Sequence, residues 1–306
     1  MIRQPPAEQL GLNRLAVGLI SVQLLALAST TLEFRRADLH IVWSSVIPEA
    51  AFVIVVALGW LMLFRAPGRH PREWVIVESF MALLLFGTFA FIALPAQYGG
   101  VALRRPFIDR QLAIADAWIG VSVPALAAWW NAHPVAAQIL GLCYSSFLVQ
   151  VFVPIAISGF VYRERTALWE YLFHFHFCSI VAIAVLTFWP AACAPVYYGF
   201  RPGLDNTLIQ QHLQGLHAGT LHVLRLTELK GVITLPSLHT SVALAVIWAC
   251  RKRGWLFWPL VAINLGLITA TFVSGIHYFV DAPAGVLVFA VSVAAYRWLD
   301  LEKGIG

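Results

Sequence analysis

The chain has 306 residues, of which 60% are hydrophobic and only 11% are charged. A soluble domain is about 45–50% apolar and about 25% charged, so the composition excludes an ordinary soluble protein and indicates a membrane protein. The net charge of +5 is consistent with arginines lying near anionic lipid, and nothing in the sequence supports nucleic-acid binding.

Eight apolar segments are long enough, or nearly so, to cross about 30 Å of hydrocarbon. They lie near 13–31, 41–64, 74–94, 134–161, 167–189, 236–250, 255–273 and 278–299. No small-residue cleavage motif follows the first segment, which predicts a retained span and not a removable signal peptide. The sequence therefore predicts an all-α, polytopic membrane helix bundle with about eight transmembrane segments. We divide it into N-terminal membrane segments, 1–94, and a second membrane domain, 95–306.

Basic residues in the short loops predict how the chain is oriented. Twelve of the 20 lysines and arginines fall in short segments on one side: Arg3, Arg14, Arg65, Arg69, Arg72, Arg163, Arg165, Arg251, Lys252, Arg253, Arg297 and Lys303. The positive-inside rule places this side in the cytoplasm, with both termini inside. The segment that begins near residue 236 then starts at the outer face.

Several polar groups lie within or beside the spans. Glu49 and Glu78 fall inside the second and third spans, where a carboxylate is either functional or paired within the bundle, and we expect pairing. In the fifth span, His174 and His176 alternate, so they face opposite sides of a helix and are expected to form hydrogen bonds within the bundle. The outer segment 95–133 is predicted to form one amphipathic interfacial helix from Ile114 to Trp130, with its tryptophans at headgroup depth.

The outer loop near 190–235 contains three histidines spaced by five residues, His212, His217 and His222. That spacing rotates successive side chains apart on a helix, whereas a zinc-binding helix uses a spacing of four. We therefore predict no metal site there and no cofactor. Arg225 and Lys230 lead directly into the next helix and are candidate substrate-binding cations.

The stretch from Thr234 to Ser241 combines a helix start with a titratable group. Pro236 suits the first turn of a helix, and the Ser237 hydroxyl can accept a hydrogen bond from a free backbone N–H there. His239 follows in the first turn, where free N–H groups and the helix dipole favour an anion. Ser237 is accordingly a candidate substrate-binding residue.

A second polar element opens the last span. His277 and Asp281 are four residues apart, which places them on one face of a helix. Pro283 opposes regular helix through that turn, so the helix is expected to begin near Asp281, with His277 in the turn before it. A carboxylate bonded to one ring nitrogen sets the tautomer and makes the other nitrogen a better nucleophile. With His239 as general acid, this set is suited to phosphoryl transfer through a phosphohistidine without a metal.

The two motifs resemble those of the type 2 phosphatidic acid phosphatase superfamily. The sequences that carry the resemblance are Pro236-Ser237-Leu238-His239 and His277-Tyr278-Phe279-Val280-Asp281, which are most similar to the branch that includes fungal inositol phosphorylceramide synthases. Upstream, Asp109, Asp116, Tyr144-Ser145 and Gln150 look like a block of the bacterial members. The resemblance covers roughly 105–299.

The resemblance implies a nucleophile at His277, an orienting carboxylate at Asp281 and a general acid at His239, with Tyr278 near the substrate. Two departures favour the phosphotransferase-like branch over a standard lipid phosphatase. Thr271 stands where the phosphatase branch has an arginine, and the basic first motif of that branch is matched only at its end, by Arg201-Pro202.

Together these features predict a metal-independent integral membrane enzyme that acts on a lipid phosphate ester, in a bacterial inner membrane with the active site at the periplasmic face. The phosphoryl or phospho-headgroup would pass to water or to a lipid hydroxyl. The alternative is a non-catalytic lipid-binding or transport protein that retains the fold, for which Glu49, Glu78, His174 and His176 would serve. The lipid, the acceptor and the oligomeric state stay open at this point.

Overall fold

The computed structural model describes residues 14–65, 71–299 and 301. Arg3, Arg69 and Lys303, which contributed to the predicted orientation, lie outside the described residues, as do the side chains of Glu49 and Arg72.

Helices dominate this part of the chain. The α-helices are α1 Arg14–Ala37, α2 Ile47–Arg65, α3 Pro71–Ala102, α4 Asp109–Trp118, α5 Val123–Ala132, α6 Pro134–Ser145, α7 Phe147–Gln150, α8 Arg165–Phe188, α9 Ala194–Tyr198, α10 Thr207–Ala218, α11 Leu238–Ala249, α12 Gly254–Val273 and α13 Asp281–Trp298. A π-helix covers Ile155–Val161, and short 3-10 helices cover Trp43–Val46 and Leu226–Glu228. Two short strands, β1 His40–Ile41 and β2 Val223–Leu224, pair in parallel.

Four helices of the described chain are long and apolar enough to cross a membrane, or up to six if each bent pair forms one span. This confirms the all-α helical bundle and the character of an integral membrane protein. The number is below the eight spans predicted from hydropathy. The predicted spans near 41–64 and 236–250 form shorter apolar helices, 50–65 and α11.

The bundle is built around α3 and α8. Helix α8 packs against α3, α11 and α13, while α1 and α2 pack against α3, and α1 also contacts α8. Large buried side chains fill the core between them, including Phe89, Trp169 and Tyr171. Because α3 runs without interruption from residue 71 to residue 102, one helix crosses the predicted division between 1–94 and 95–306.

Two predicted continuous helices are broken. The segment predicted to be one interfacial helix consists of α4 and α5, which meet at 78°. The prediction of continuity is wrong because Gly120, at φ +76°, ends α4, and Ser122 then caps α5 by accepting a bond from the Ala125 N–H at 3.4 Å. The predicted span 134–161 is likewise bent, by 43°, between α6–α7 and the π-helix.

Glu78, His174 and His176 have partners inside the bundle, as predicted. Glu78 Oε2 accepts bonds from Arg165 Nε and Trp169 Nε1, each at 2.8 Å. His174 and His176 do face opposite sides of α8. The first contacts Ser292 of α13 at 3.0 Å, and the second contacts Gln23 of α1 at 3.1 Å.

Basic residues gather at one end of the bundle, where they pair with carboxylates near the start of α8. Arg251 Nη2 lies 3.0 Å from Glu170 Oε2, and Arg253 pairs with Glu164. Helix α11 runs from His239, in its first turn, to this basic end. The molecule therefore has His239 and Arg251 at opposite ends of one short helix, as the sequence predicts.

Candidate active site

Helix α11 begins with a capped turn that presents His239. The Ser237 hydroxyl accepts a hydrogen bond from the Thr240 N–H at 3.3 Å, which is the N-cap predicted from the sequence. The cap satisfies one of the free donors of the first turn and leaves the N–H groups of Leu238 and His239 without a partner inside the helix.

His277 lies in the turn between α12 and α13, and α13 begins at Asp281 as predicted. His277 Nδ1 is 3.2 Å from Asp281 Oδ2, and the same oxygen accepts the Tyr278 N–H at 3.0 Å. The backbone of His277 also donates to the Thr271 carbonyl at 3.2 Å. The His277 side chain is only 6–7% exposed and Asp281 is fully buried, so this pair is held away from bulk water.

The starts of α11 and α13 are fastened to each other. The Ser237 N–H donates to the Asp281 carbonyl at 2.9 Å, and the Ser241 hydroxyl donates to the Gly285 carbonyl at 3.0 Å. Glycine is needed at 285, because a Cβ there would lie 2.5 Å from the Ser237 carbonyl oxygen. These contacts bring two motifs 38 residues apart into one site.

The two histidine rings are neighbours. Their centroids are 6.0 Å apart, with the planes at 76°. The half-buried His239 ring also packs against Tyr144 and Phe147, with centroids at 4.8 and 4.6 Å. Because Asp281 occupies Nδ1 of His277, Nε2 is the ring nitrogen left for a ligand.

Two further aspartates hold the turn that carries His277, and no role for them was predicted from the sequence. Asp116 accepts the N–H groups of Phe279 and Val280, both at 2.9 Å. Asp109 accepts the Tyr278 hydroxyl at 2.8 Å and the Ala192 N–H at 2.7 Å. The only signal for them in the sequence was their place in the motif block similar to that of bacterial relatives.

The candidate substrate-binding residues occupy different surroundings. The hydroxyl groups of Ser237 and Tyr278 are buried and already engaged, by Thr240 and by Asp109. Arg225 and Lys230 are exposed, and Arg225 lies 3.8 Å from Glu228. Within the described residues, neither cation forms a hydrogen bond or ion pair with the two histidines, so substrate contact by these four residues stays a prediction.

The outer-loop histidines have separate partners. His212 Nδ1 lies 2.9 Å from the Tyr98 hydroxyl, His217 Nε2 lies 3.1 Å from the Arg105 carbonyl, and His222 Nε2 lies 3.0 Å from the Gly219 carbonyl. Across the described part of the chain, no group of three or more His, Cys, Asp or Glu side chains is arranged to hold a metal ion.

One other nucleophile lies near the site. Cys193, between α8 and α9, is buried and within hydrogen-bond distance of Asn206, with Sγ 3.8 Å from Nδ2. Burial raises the pKa of the Cys193 thiol to about 12, so it stays protonated at neutral pH and is a poor nucleophile. His277 and His239 therefore stay the candidate reactive pair at this end of the bundle.

No curated protein and no solved structure matches this chain. A model of the PAP2 superfamily matches residues 110–295, which are more than half of the chain. The matched region begins beside Asp109 and includes both histidine motifs, all of α11 and most of α13. Membership of this superfamily suggests phosphatase or phosphotransferase activity on lipid phosphates. On the extent of this match, the chain belongs to the PAP2 superfamily.

Proposed function

We propose that the protein transfers a phosphoryl or phospho-headgroup from a lipid phosphate ester, through a phosphohistidine on His277, to water or to a lipid hydroxyl. The observation that carries this proposal is the contact of His277 Nδ1 with Asp281 Oδ2 at 3.2 Å, combined with a second histidine ring 6.0 Å away. Two rings at this separation can contact opposite sides of one phosphate ester.

The first step forms one bond and breaks one. The lone pair of His277 Nε2 attacks phosphorus, and the bond from phosphorus to the leaving oxygen breaks. Protonated His239 gives its proton to that oxygen, which departs as an alcohol. Asp281 keeps the proton on Nδ1 and stabilises the positive charge of the phosphorylated ring.

The second step reverses these roles. Neutral His239 takes a proton from water or from an acceptor hydroxyl as its oxygen attacks phosphorus. The phosphorus–nitrogen bond then breaks, and His277 returns to its starting form. Hydrolysis and transfer therefore share the same residues and differ only in the acceptor.

The negative charge of the phosphate requires donors beside the histidines. The N–H groups of Leu238 and His239, free in the first turn of α11, are suited to this because a helix N-terminus attracts anions. A bound phosphate would in turn favour the protonated form of His239, which would place a positive charge on the same turn. Lys230 and Arg225 are the proposed cations of the outer loop, which would approach when a lipid is bound.

The finer assignment is to the phosphotransferase branch, close in motif to inositol phosphorylceramide synthases. Its support is the sequence around His277, together with Thr271 in place of the arginine of the phosphatase branch. Thr271 is fully buried, and its hydroxyl donates to the Ile268 carbonyl at 2.6 Å, so it offers no charge to a phosphate. We also propose that 95–306 forms the catalytic domain and that the site opens at the periplasmic face of a bacterial inner membrane.

The proposal is tested with purified, full-length protein in lipid vesicles. A panel of lipid phosphates, including glycerol- and inositol-headgroup lipids, is assayed both for released phosphate and for transfer to a lipid hydroxyl. Wild type should turn over at least one member and His277→Ala should not. His40→Ala should match wild type because the His40 side chain is exposed and its one polar contact among the described residues is with Asp38. Because the proposed nucleophile is a histidine, activity should also survive EDTA.

Two outcomes would contradict the proposal. Full activity in His277→Ala would show that His277 is not the nucleophile. Activity that is lost in EDTA and restored by a divalent ion would indicate a metal hydrolase. The alternative, a non-catalytic membrane protein with the same fold, predicts no turnover of any lipid in the panel. Its candidate residues Glu78, His174 and His176 have hydrogen-bond partners inside the bundle, which gives them a structural explanation.

A further inference from the structure

A second polar pocket lies at the other end of α11 from the two histidines. It has a volume of about 300 Å³. The residues that line it belong to the start of α8 and to the turn between α11 and α12: Glu164, Arg165, Thr166, Ala167, Glu170, Ala249, Arg251, Lys252 and Arg253. His239 and Ala249, which lines the pocket, are ten residues apart on α11, so about 15 Å of helix separates this basic pocket from His239.

The basic pocket carries more positive than negative charge. Its lining includes four cationic side chains and two carboxylates. Arg251 is held by Glu170 at 3.0 Å, and Arg253 is paired with Glu164. Lys252 is exposed and has no carboxylate partner among the described residues. Arg165 is paired with Glu78, at 2.8 Å, so all three arginines are fixed in position. Lys252 is then the lining cation that remains available to an anion.

Backbone donors add to this charge. The first-turn N–H groups of α8 belong to Arg165, Thr166 and Ala167, all of which line the basic pocket. Glu164 precedes them but does not cap the helix with its side chain, which is paired with Arg253. A phosphate in this pocket would meet both the cationic side chains and the positive end of the helix dipole.

Aromatic residues place the pocket at the depth of lipid headgroups. The guanidinium of Arg253 lies 3.7 Å from the ring centre of Tyr162, and that of Arg251 lies 4.4 Å from the ring centre of Trp248. Just beyond, Trp255 and Trp258 are 66% and 70% exposed on the first turns of α12. Exposed tryptophans at the end of an apolar helix are typical of the membrane–water interface.

We propose that this basic pocket binds the phosphate of an anionic phospholipid headgroup, at a site separate from the two histidines. Basic pockets between membrane helices on the positively charged side are suited to such headgroups. A bound phosphate would bridge the start of α8 and the turn after α11, and would thereby stabilise the helix that carries His239. The site needs no turnover, so it goes beyond the proposed function.

The test uses full-length protein carrying His277→Ala, so that any lipid turnover is removed from the measurement. Native mass spectrometry with phosphatidylglycerol and phosphatidylcholine gives the affinity for each lipid. Lys252→Gln should weaken phosphatidylglycerol binding at least tenfold, and Lys252→Arg should restore it. The matched control is Arg65→Gln, an exposed cation at the same end of the bundle that does not line the pocket. Arg65→Gln should weaken phosphatidylglycerol binding by no more than about fivefold, which is the effect of losing one surface charge near anionic lipid.

Three results would overturn the proposal. They are equal losses in Lys252→Gln and Arg65→Gln, binding of phosphatidylcholine as tight as that of phosphatidylglycerol, or displacement of the lipid by millimolar inorganic phosphate, which would mark a site for the free ion. Because the readout is binding and not catalysis, a failure of the histidine mechanism would leave this result unaffected. Lys252 and Arg65 are both exposed, so neither substitution is expected to disturb folding.

Discussion

His239 faces His277 from a helix that begins at a different motif, so its contribution can be tested separately. If it protonates the leaving oxygen, His239→Ala should slow turnover of a lipid alkoxide ester by about 10²–10⁴-fold. A nitrophenyl phosphate ester should be slowed much less, because nitrophenolate departs without a proton. Steady-state rates for both substrates decide the matter. Equal losses for the two esters would leave the nucleophile in place but remove the acid role from His239.

Asp281 is expected to act mainly through its charge. In Asp281→Asn, the amide oxygen can take the place of Oδ2 and accept the bonds from His277 and Tyr278. The amide NH₂ can take the place of Oδ1, which has no hydrogen-bond partner. Asp281→Asn should therefore fold but lose roughly 10²–10⁴-fold in kcat, because an amide cannot stabilise a positively charged ring. Asp38→Asn, which touches the exposed His40, is the control and should keep wild-type kcat. Wild-type kcat in Asp281→Asn would argue against a charged intermediate.

Where α11 and α13 cross, adding a single methyl group should push the two histidines apart. A Cβ at residue 285 would lie 2.5 Å from a backbone oxygen of Ser237, so Gly285→Ala must push the helices apart. We expect it to lower the free energy of unfolding by about 1–3 kcal/mol and to reduce activity. Gly18→Ala is the matched control, because its Cβ would meet nothing within 4 Å on α1 and alanine favours helix. Denaturant unfolding and activity of both variants test this, and equal behaviour would refute the close crossing.

The elements were predictable to the extent that one local pattern determines them. Long apolar runs predicted α1, α8 and α12, and the spacing of His277, Asp281 and Pro283 predicted where α13 begins. The break between α4 and α5 was missed because the segment from Ile114 to Trp130 was read for its apolar character alone. A glycine at positive φ, Gly120, and the serine cap at Ser122 decide the backbone path there.

The organisation of the site was only partly predictable, for a different reason. The contact of His277 with Asp281 spans only four residues, so a local pattern could predict it, although His277 lies in the turn before α13 and not on the helix. Asp116 bonds to backbone N–H groups more than 160 residues away, and the stacking of Tyr144 on His239 joins residues 95 positions apart. No pattern within one segment encodes such pairs, because tertiary packing brings them together.

Across the bundle, the two ends differ in charge and this difference predicts orientation. The end with Arg165, Arg251 and Arg253 should face the cytoplasm by the positive-inside rule, and the end with both histidines should face outward. Tags after Arg253 and near Gln210, tested for accessibility in intact cells, should report the inside and the outside respectively. An inside location for a tag near Gln210 would move the site to the opposite membrane face and overturn the proposed periplasmic location.

The most direct measurement of the mechanism is detection of the phosphohistidine itself. Purified protein is mixed with a lipid substrate labelled on phosphorus, quenched in base, which preserves phosphohistidine, and mapped by mass spectrometry. The mechanism predicts an acid-labile phosphate on His277 that is absent from His277→Ala and present in His40→Ala. A phosphate on any other residue, or turnover by His277→Ala with wild-type rates, would contradict it.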